Sequence, residues 1–591
     1  MDRINELGSF FHQLSAMLKD VYSVNKKLGN RIILLKVMAS LLPLAQMYLV
    51  KTLIDIISQP VPVTIRIVLL VTFFAGLQLL IGAINQYASH FDQLFSQEAA
   101  DAFALKIIEK ASLVNYYHFE NPAFYNNLHL AQQQARFRIV QLLPAINASI
   151  ANALSLVFLV LFFVSIKAYF FLALFVLAIP ISLNKWLQGK RATDLEFSLA
   201  PKERESGYLF QLMTGVQWAK ELRTYHFGKA FLQQFQSLRK AINQRKMVNQ
   251  QLSLRQNMLA EFLEVAALGI AIGYLALKTI GNGIGLGLFV LYLQGIQRMQ
   301  SSAKAFFQSL LQVVQLRNFV KDLYGFFDLS EENNQLATQE FPHQLDQLKI
   351  ESLSFGYPNQ KHAILNNINL EASRGQIIAI VGENGSGKST LVKLLAGLYS
   401  PNHGNINING ISLQEIRKTE FYQQTCFFFQ DYEKYFLTAA QNIHFDYHPT
   451  DTIEQKMQLA GHTSGAVAFI EKLSKGYDTK MGNIFEGSEQ LSGGEWQKLA
   501  LSRVFFKDAQ LVVLDEPSSS LDAFAELNLY STIKTSLKDK IVVLISHRLY
   551  NLKMADKIYV MQDGEIVQVG SFDQLIAEEG LFKSMYEKQR I

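Results

Sequence analysis

Residues 381–390, VGENGSGKST, hold the densest chemistry in the chain. Gly382, Gly387, Lys388 and Ser389 fit the spacing G-x-x-x-x-G-K-[ST], in which a glycine-rich turn lets backbone N–H groups close around a polyphosphate. Glu383, Asn384, Gly385, Ser386 and Thr390 complete the candidate binding loop. A phosphate loop needs a metal partner and a group that positions water. Residues 510–516, QLVVLDE, supply both, because an apolar strand ends there in two acids. Asp515 is placed to bind Mg²⁺ through water, with the Ser389 hydroxyl as direct ligand, and Glu516 to polarise an attacking water. Two acids in that place also suit a helix N-terminal cap, but the phosphate loop favours the catalytic reading.

Positioning these groups requires a strand before the loop and a helix after it. Residues 376–381 form a short apolar, β-prone run, and residues 391–398 have the apolar spacing of a helix. The order strand, loop, helix aims the positive end of the helix dipole at the bound phosphates.

The 591 residues suffice for more than one domain. Hydrophobic residues make up 49% of them and are unevenly spread, with long uncharged runs before residue 300 and an ordinary α/β pattern after it. A net charge of +5 is too small to argue for nucleic acid. The single cysteine, Cys426, excludes an intrachain disulfide and a cysteine-rich metal site. The first residues lack the basic and apolar regions of a cleaved signal peptide.

Six membrane spans are expected, over residues 37–50, 67–89, 139–166, 168–184, 265–277 and 284–297. The first extends to residue 32 if Lys36 snorkels or faces inward. Residues 5–28 fit either an amphipathic helix on the membrane surface or an exposed helix. Segments on one side of the spans are short and carry two lysines, whereas residues 185–255 carry a dense basic set. The positive-inside rule then puts the N-terminus, the long loops and the nucleotide-binding half in the cytoplasm of a cell-membrane protein. The expected organisation is an N-terminal segment 1–30, a membrane domain 31–325, a linker 326–347 and a nucleotide-binding domain 348–591. Two loop stretches, one through Phe119, Glu120, Asn121 and Pro122 and one through Glu221 and Arg223, suit short helices at the far ends of long helical pairs. Glu261 and Glu264 begin the fifth span and either face a cavity, where they favour a cationic substrate, or sit on a solvated helix below the membrane.

Residues 491–497, LSGGEWQ, bring in a family resemblance. They resemble the LSGGQ signature of the ATP-binding cassette (ABC) transporters, with Glu495 in the final place. Other family motifs follow in order. Tyr357 matches the aromatic residue that stacks on adenine, Gln430 the glutamine that touches Mg²⁺ and the membrane domain, Asp522 the D-loop aspartate, and His547 the switch histidine near the γ-phosphate. The resemblance implies a membrane all-α six-helix exporter domain followed by an α/β P-loop cassette domain.

It also implies an ATP hydrolase coupled to transport, with ATP and Mg²⁺ as cofactors and Lys388, Glu516 and His547 in the catalytic site. Ser492, Gly493, Gly494 and Glu495 are implied to act on ATP held by an opposing subunit, since two cassettes sandwich two nucleotides in this family. The chain carries one membrane half and one cassette, so the partner is a second half-transporter, most simply itself. The loop stretches near Phe119 and Glu221 then resemble two coupling helices. A hydrophobic, lipid-like, drug-like or small peptide substrate is expected, moved through the membrane lipid by alternating access. The alternative is an ATP-dependent sensor or regulated pore. Roughly thirty residues precede the first span, so leader-peptide cleavage by this chain is not expected.

Overall fold

A computed structural model describes residues 2–59, 64–120, 122–166, 170–281, 283–331, 337–358, 362–445 and 450–589. The chain forms two compact units, one of residues 1–113 and 122–329, the other of residues 114–121 and 330–591.

The first unit is helical: α1 (Asp2–Val24), α2 (Lys26–Ile57), α3 (Thr64–Leu113), α4 (Pro122–Ser165), α5 (Phe170–Thr214), α6 (Ala219–Thr224), α7 (Gly228–Ile280), α8 (Leu286–Gln315) and α9 (Arg317–Phe327). Six of these are long. At 1.5 Å per residue, the 50 residues of α3 reach about 75 Å, more than twice a hydrocarbon core of about 30 Å. Such a helix is long enough to cross a membrane and extend beyond it. Helices α2, α3, α4 and α7 are long and apolar enough among the described residues to cross a membrane. The span expected over 168–184 begins outside the described residues and continues in α5. In α8 the apolar run is interrupted by Arg298 and Lys304, which shortens its span.

A core of Met47, Leu156, Leu159, Phe163, Leu275, Leu291 and Ile296 joins α2, α4, α7 and α8. Lys36 faces inward: its ammonium lies 2.7 Å from the carboxylate of Asp92 on α3, which also accepts a 2.7 Å hydrogen bond from the Asn147 amide on α4. A charge among apolar helices is tolerated when it is paired in this way.

The second unit is α/β. Its elements are β1 (Gln347–Phe355), β2 (Leu365–Ser373), β3 (Ile377–Gly382), α10 (Lys388–Leu395), β4 (His403–Ile408), β5 (Ile411–Ser412), α11 (Lys418–Gln424), β6 (Thr425–Phe428), α12 (Ala439–Ile443), α13 (Asp451–Ser464) and α14 (Val467–Ile470). They continue with α15 (Gly493–Phe506), β7 (Leu511–Asp515), α16 (Ala523–Ser536), β8 (Ile541–Ile545), β9 (Lys557–Gln562), β10 (Glu565–Gly570), α17 (Phe572–Ala577) and α18 (Leu581–Gln589). A six-stranded sheet runs β10-β9-β3-β8-β7-β6, and a four-stranded antiparallel sheet runs β2-β1-β4-β5.

Strands β3, β7 and β8 are buried along their whole length. Their residues alternate between two cores: Ile378, Ile380, Val513 and Val543 enter one, and Ala379, Val381, Val512 and Leu544 the other. Burial on both faces is why these strands read as unbroken apolar runs. A third core, around Trp496, joins α12, α13, α14 and the first turns of α15. In the stretch expected as linker, Phe341 and Leu345 are buried in the core of the four-stranded sheet, and the Gln339 backbone bonds to Glu415 and Arg417.

Candidate functional site

Register brings the chemistry together. Ile380 of β3 lies level with Ile545 of β8, and Ile545 level with Asp515 of β7. Three neighbouring strands therefore end on one edge, and the chain leaving them carries Gly382, Glu516 and His547. Ligands of open α/β sheets sit at this carboxyl edge.

The loop after β3 turns on glycines that no larger residue replaces. Gly387 has φ +101°, and a Cβ there would lie 2.5 Å from Leu365 Cδ2. A Cβ on Gly382 would lie 2.2 Å from the Met561 carbonyl oxygen. Lys388 is buried and its Nζ donates to the carbonyls of Gly382 and Glu383, both at 2.9 Å. Burial holds this amine below the usual lysine range, against the pull of Glu516 and Asp515. Glu383, Asn384, Gly385 and Ser389 are exposed, and Ser386 and Thr390 are buried. The loop thus presents backbone N–H groups, an ammonium and a hydroxyl at a helix start, a donor set that suits a triphosphate.

Glu516 follows β7 in the left-handed region, φ +49°, an uncommon state for a residue with a side chain and one costing about 1–3 kcal/mol. Its N–H donates to Ile545 O at 3.0 Å, so the turn is held by β8. Each carboxylate oxygen has its own partner: His547 Nε2 lies 2.7 Å from Oε1, and Gln430 Nε2 donates to Oε2 at 3.0 Å. Burial first, and then the charge of Lys388, hold His547 below the ordinary histidine range, although Glu516 pulls the other way. At neutral pH the imidazole is neutral and donates its Nε2–H to the carboxylate.

Asp515, 5% exposed, is pushed up to about 6 by burial and by the charge of Glu516, with Lys388 opposing. Among the described residues no three His, Cys, Asp or Glu side chains converge as metal ligands. A Ser389, Gln430 and Asp515 donor set fits instead a hard cation held largely by phosphate and water, as Mg²⁺ usually is.

Ser492 is the N-cap of α15 and forms a capping box with Glu495. The Glu495 carboxylate accepts from the Ser492 N–H and hydroxyl, both at 2.8 Å, leaving Gly493 and Gly494 to open the helix. The spacing Ser-x-x-Glu is a capping-box pattern legible in the sequence. Asp522 is the N-cap of α16, accepting from Ala525 N at 2.8 Å. Between them stands Gln497, fully buried, which sequence reading missed. Its amide donates to Pro517 O at 2.7 Å and accepts from Ser520 N at 2.8 Å, so α15 holds the loop after Glu516.

Residues 114–120 group with the α/β unit. Glu120 lies 2.6 Å from Lys393 Nζ and accepts from the Tyr399 hydroxyl. Burial alone would raise the Glu120 carboxyl, but the hydrogen bonds from Lys393 and Tyr399 prevail and hold it below its ordinary value. Tyr399 meets Tyr357 edge-on at 5.2 Å, and Lys393 lies over the Tyr357 ring at 5.6 Å. Tyr357 is tied to the phosphate-loop helix through Thr390 Oγ1, 3.3 Å from its hydroxyl. The short helix at this bend is a 3-10 turn at Tyr116–His118, just before Phe119; Asn121 lies outside the described residues and Pro122 opens α4.

Glu221 and Arg223 are exposed on α6, where Arg223 Nη1 donates to Ala219 O at 2.9 Å. On α7, Glu261 is exposed, and Glu264 lies 2.7 Å from Lys304 Nζ of α8. The chain itself therefore meets the charge of Glu264, which weakens the expectation that it selects a cationic substrate.

Residues 365–519 match the family model described as ABC transporter. The chain is 29% identical to the subtilin transport ATP-binding protein SpaT of Bacillus subtilis, over 99% of this chain and 96% of the relative. It is 28% identical to the nisin transport ATP-binding protein NisT of Lactococcus lactis subsp. lactis, over 100% and 99%. A 34% identical match to the ATP-dependent lipid A-core flippase of Chromohalobacter salexigens covers 42% of each chain. The solved structure of a bacterial Atm1-family ABC exporter with ATP bound superposes with TM-score 0.76 at 19% identity, over 96% of this chain and 99% of that one.

Proposed function

We propose that the chain is an ABC transporter in the exporter arrangement, a helical membrane unit followed by an ATP-hydrolysing cassette, and that it exports a small peptide as a homodimer. Likeness to the proteins named for transport of the peptides subtilin and nisin runs through both units, whereas the matches to lipid A-core flippases span between 41% and 60% of the chain. Substrate choice resides in the membrane unit, so likeness that includes this unit bears more on substrate.

Each cassette holds ATP on Lys388, Ser389 and the loop 382–390, with adenine against Tyr357. Ser492, Gly493 and Gly494 of one copy cover the phosphates bound by the other, so both sites need both copies. Ser389, Gln430 and, through water, Asp515 would hold a Mg²⁺ ion, which would neutralise phosphate charge. Glu516 orients the attacking water and accepts its proton. His547, neutral, donates a hydrogen bond that moves from Glu516 toward the γ-phosphate when ATP is present. Closure of the cassettes is passed on through residues 119–122 and α6, and the membrane helices shift from inward to outward facing because ATP binds the closed packing better. The N-terminus and the cassette lie in the cytoplasm, a reading that the dense basic residues between 185 and 255 support.

The pairing of Glu516 with both His547 and Gln430 beside Lys388 carries the hydrolytic part of this reading. It is tested by reconstituting the protein in liposomes and measuring ATPase with nisin, with subtilin and with a lipid panel. Stimulation by a peptide, together with ATP-dependent transport of that peptide, is expected. Stimulation and transport confined to lipids would contradict the peptide assignment.

A further inference from the structure

One buried carboxylate joins the two loops that carry Glu516 and His547. Glu526, in the first turn of α16, is 1% exposed. Its Oε1 accepts from Ser518 Oγ at 2.6 Å, and its Oε2 accepts from the Tyr550 hydroxyl at 2.8 Å and from Arg548 Nη1. Ser518 stands two residues after Glu516, and Arg548 directly follows His547. Tyr530, one turn further along α16, makes a second bridge: its hydroxyl lies 3.3 Å from Ser518 Oγ and 3.4 Å from Ser546 Oγ. Ser546 Oγ in turn accepts from Arg548 N at 3.1 Å. From the opposite side, Gln497 grips Pro517 and Ser520.

A carboxylate withdrawn from water persists only where its charge and lone pairs are met. A guanidinium and two hydroxyls meet those of Glu526, and they come from both loops. Moving either loop alone uncovers the charge, so the loops are constrained to move together. None of the hydrogen bonds of Glu526 reaches Glu516 or His547 themselves.

We propose that Glu526 is a positioning residue for ATP hydrolysis, a strut that holds the loop after β7 and the loop after β8 in one register and so keeps Glu516 and His547 within hydrogen-bond reach of each other. This inference rests on the reading of Glu516 and His547 as the hydrolytic pair. A displacement of about 1 Å in such a pair costs up to about 100-fold in rate, whereas nucleotide affinity, set by the phosphate loop and Tyr357, is untouched.

The test uses the full chain in lipid and measures kcat, the KM for ATP and single-turnover hydrolysis. Glu526→Gln is expected to lower kcat about tenfold with KM within about twofold, and Glu526→Asp to recover part of the loss. In a His547→Ala background, adding Glu526→Gln is expected to lower single-turnover hydrolysis by less than about twofold, because the pair it positions is already broken. Unchanged kcat in Glu526→Gln, a KM that rises in step, or an equal loss in both backgrounds would overturn the strut. Should Glu526→Gln not fold, Tyr550→Phe removes one of the same hydrogen bonds from a half-exposed position, and unchanged kcat there would also overturn it. If Glu516→Gln and His547→Ala both keep wild-type turnover, the hydrolytic pair itself is wrong and the strut falls with it.

Discussion

Glu516 is held by three constraints that act on one side chain: a left-handed backbone, the His547 imidazole on one oxygen and the Gln430 amide on the other. A carboxylate so oriented is replaceable in shape but not in basicity. Glu516→Gln should therefore keep ATP binding, measured with a fluorescent nucleotide, and lower steady-state hydrolysis by about 100-fold or more. Hydrolysis near wild type would remove Glu516 from its role. Asp515 offers a second test. Its carboxyl is raised from 3.8 to about 6 in the folded chain, so the folded state binds this proton more tightly than the unfolded state does. Between those values its contribution to stability falls as pH rises, and above pH 6 the buried charge is a standing cost of roughly 3 kcal/mol at most. Asp515→Asn removes that cost. At pH 7.5 the nucleotide-free variant should melt at a higher temperature than wild type and hydrolyse no ATP with Mg²⁺, whereas at pH 4 the gain should shrink; a melting temperature unchanged at pH 7.5 would contradict the burial argument. The phosphate loop and the Asp515–Glu516 pair could be singled out because each is one short stretch of sequence in which chemistry dictates the order. Glu526 and Gln497 were not, because a lone acid or amide in a helix acquires meaning only from the loops packed on it.

Elements set where these side chains meet. The level register of β3, β8 and β7 converts three distant segments into one edge, and the capping boxes of α12, α15 and α17 start those helices at defined residues. A cap of this kind contributes about 1 kcal/mol. The strands could be anticipated from their apolar runs, and their neighbours could not, since periodicity says nothing of strand order. The bend at residues 114–121 is similar. Its Asn-Pro step announces a break in the helix, but the partners of Glu120 lie more than 270 residues away at Lys393 and Tyr399. Both partners also touch Tyr357, the residue proposed to stack on adenine, so the bend and that ring share side chains. Glu120→Gln should lower the ratio of substrate-stimulated to basal ATPase at least about twofold while the protein folds and binds ATP. An unchanged ratio would show that the bend carries no coupling.

Across the molecule, a unit of long helices and an α/β unit lie on one chain, and likeness to curated relatives extends over nearly all of it. Uncharged runs made the helical unit readable, but where its helices continue past the membrane was hidden, because polar helical turns resemble any exposed helix. An inward-facing Lys36 was one of two expected placements, but its partner Asp92 and the Lys304 partner of Glu264 were hidden, because both ion pairs join different helices. Because each ATP site is proposed to need Ser492 to Gly494 from a second copy, mixing wild type with an excess of Ser492→Arg chains should depress ATPase more than dilution does; strict proportionality to the wild-type fraction would point to sites complete within one copy. Uphill, ATP-driven export is checked by following nisin or subtilin in proteoliposomes whose cassettes face outward. Accumulation inside above the external concentration is expected with ATP and Mg²⁺, and none with Glu516→Gln. ATP hydrolysis accompanied only by equilibration of the peptide would contradict it and identify a regulated pore.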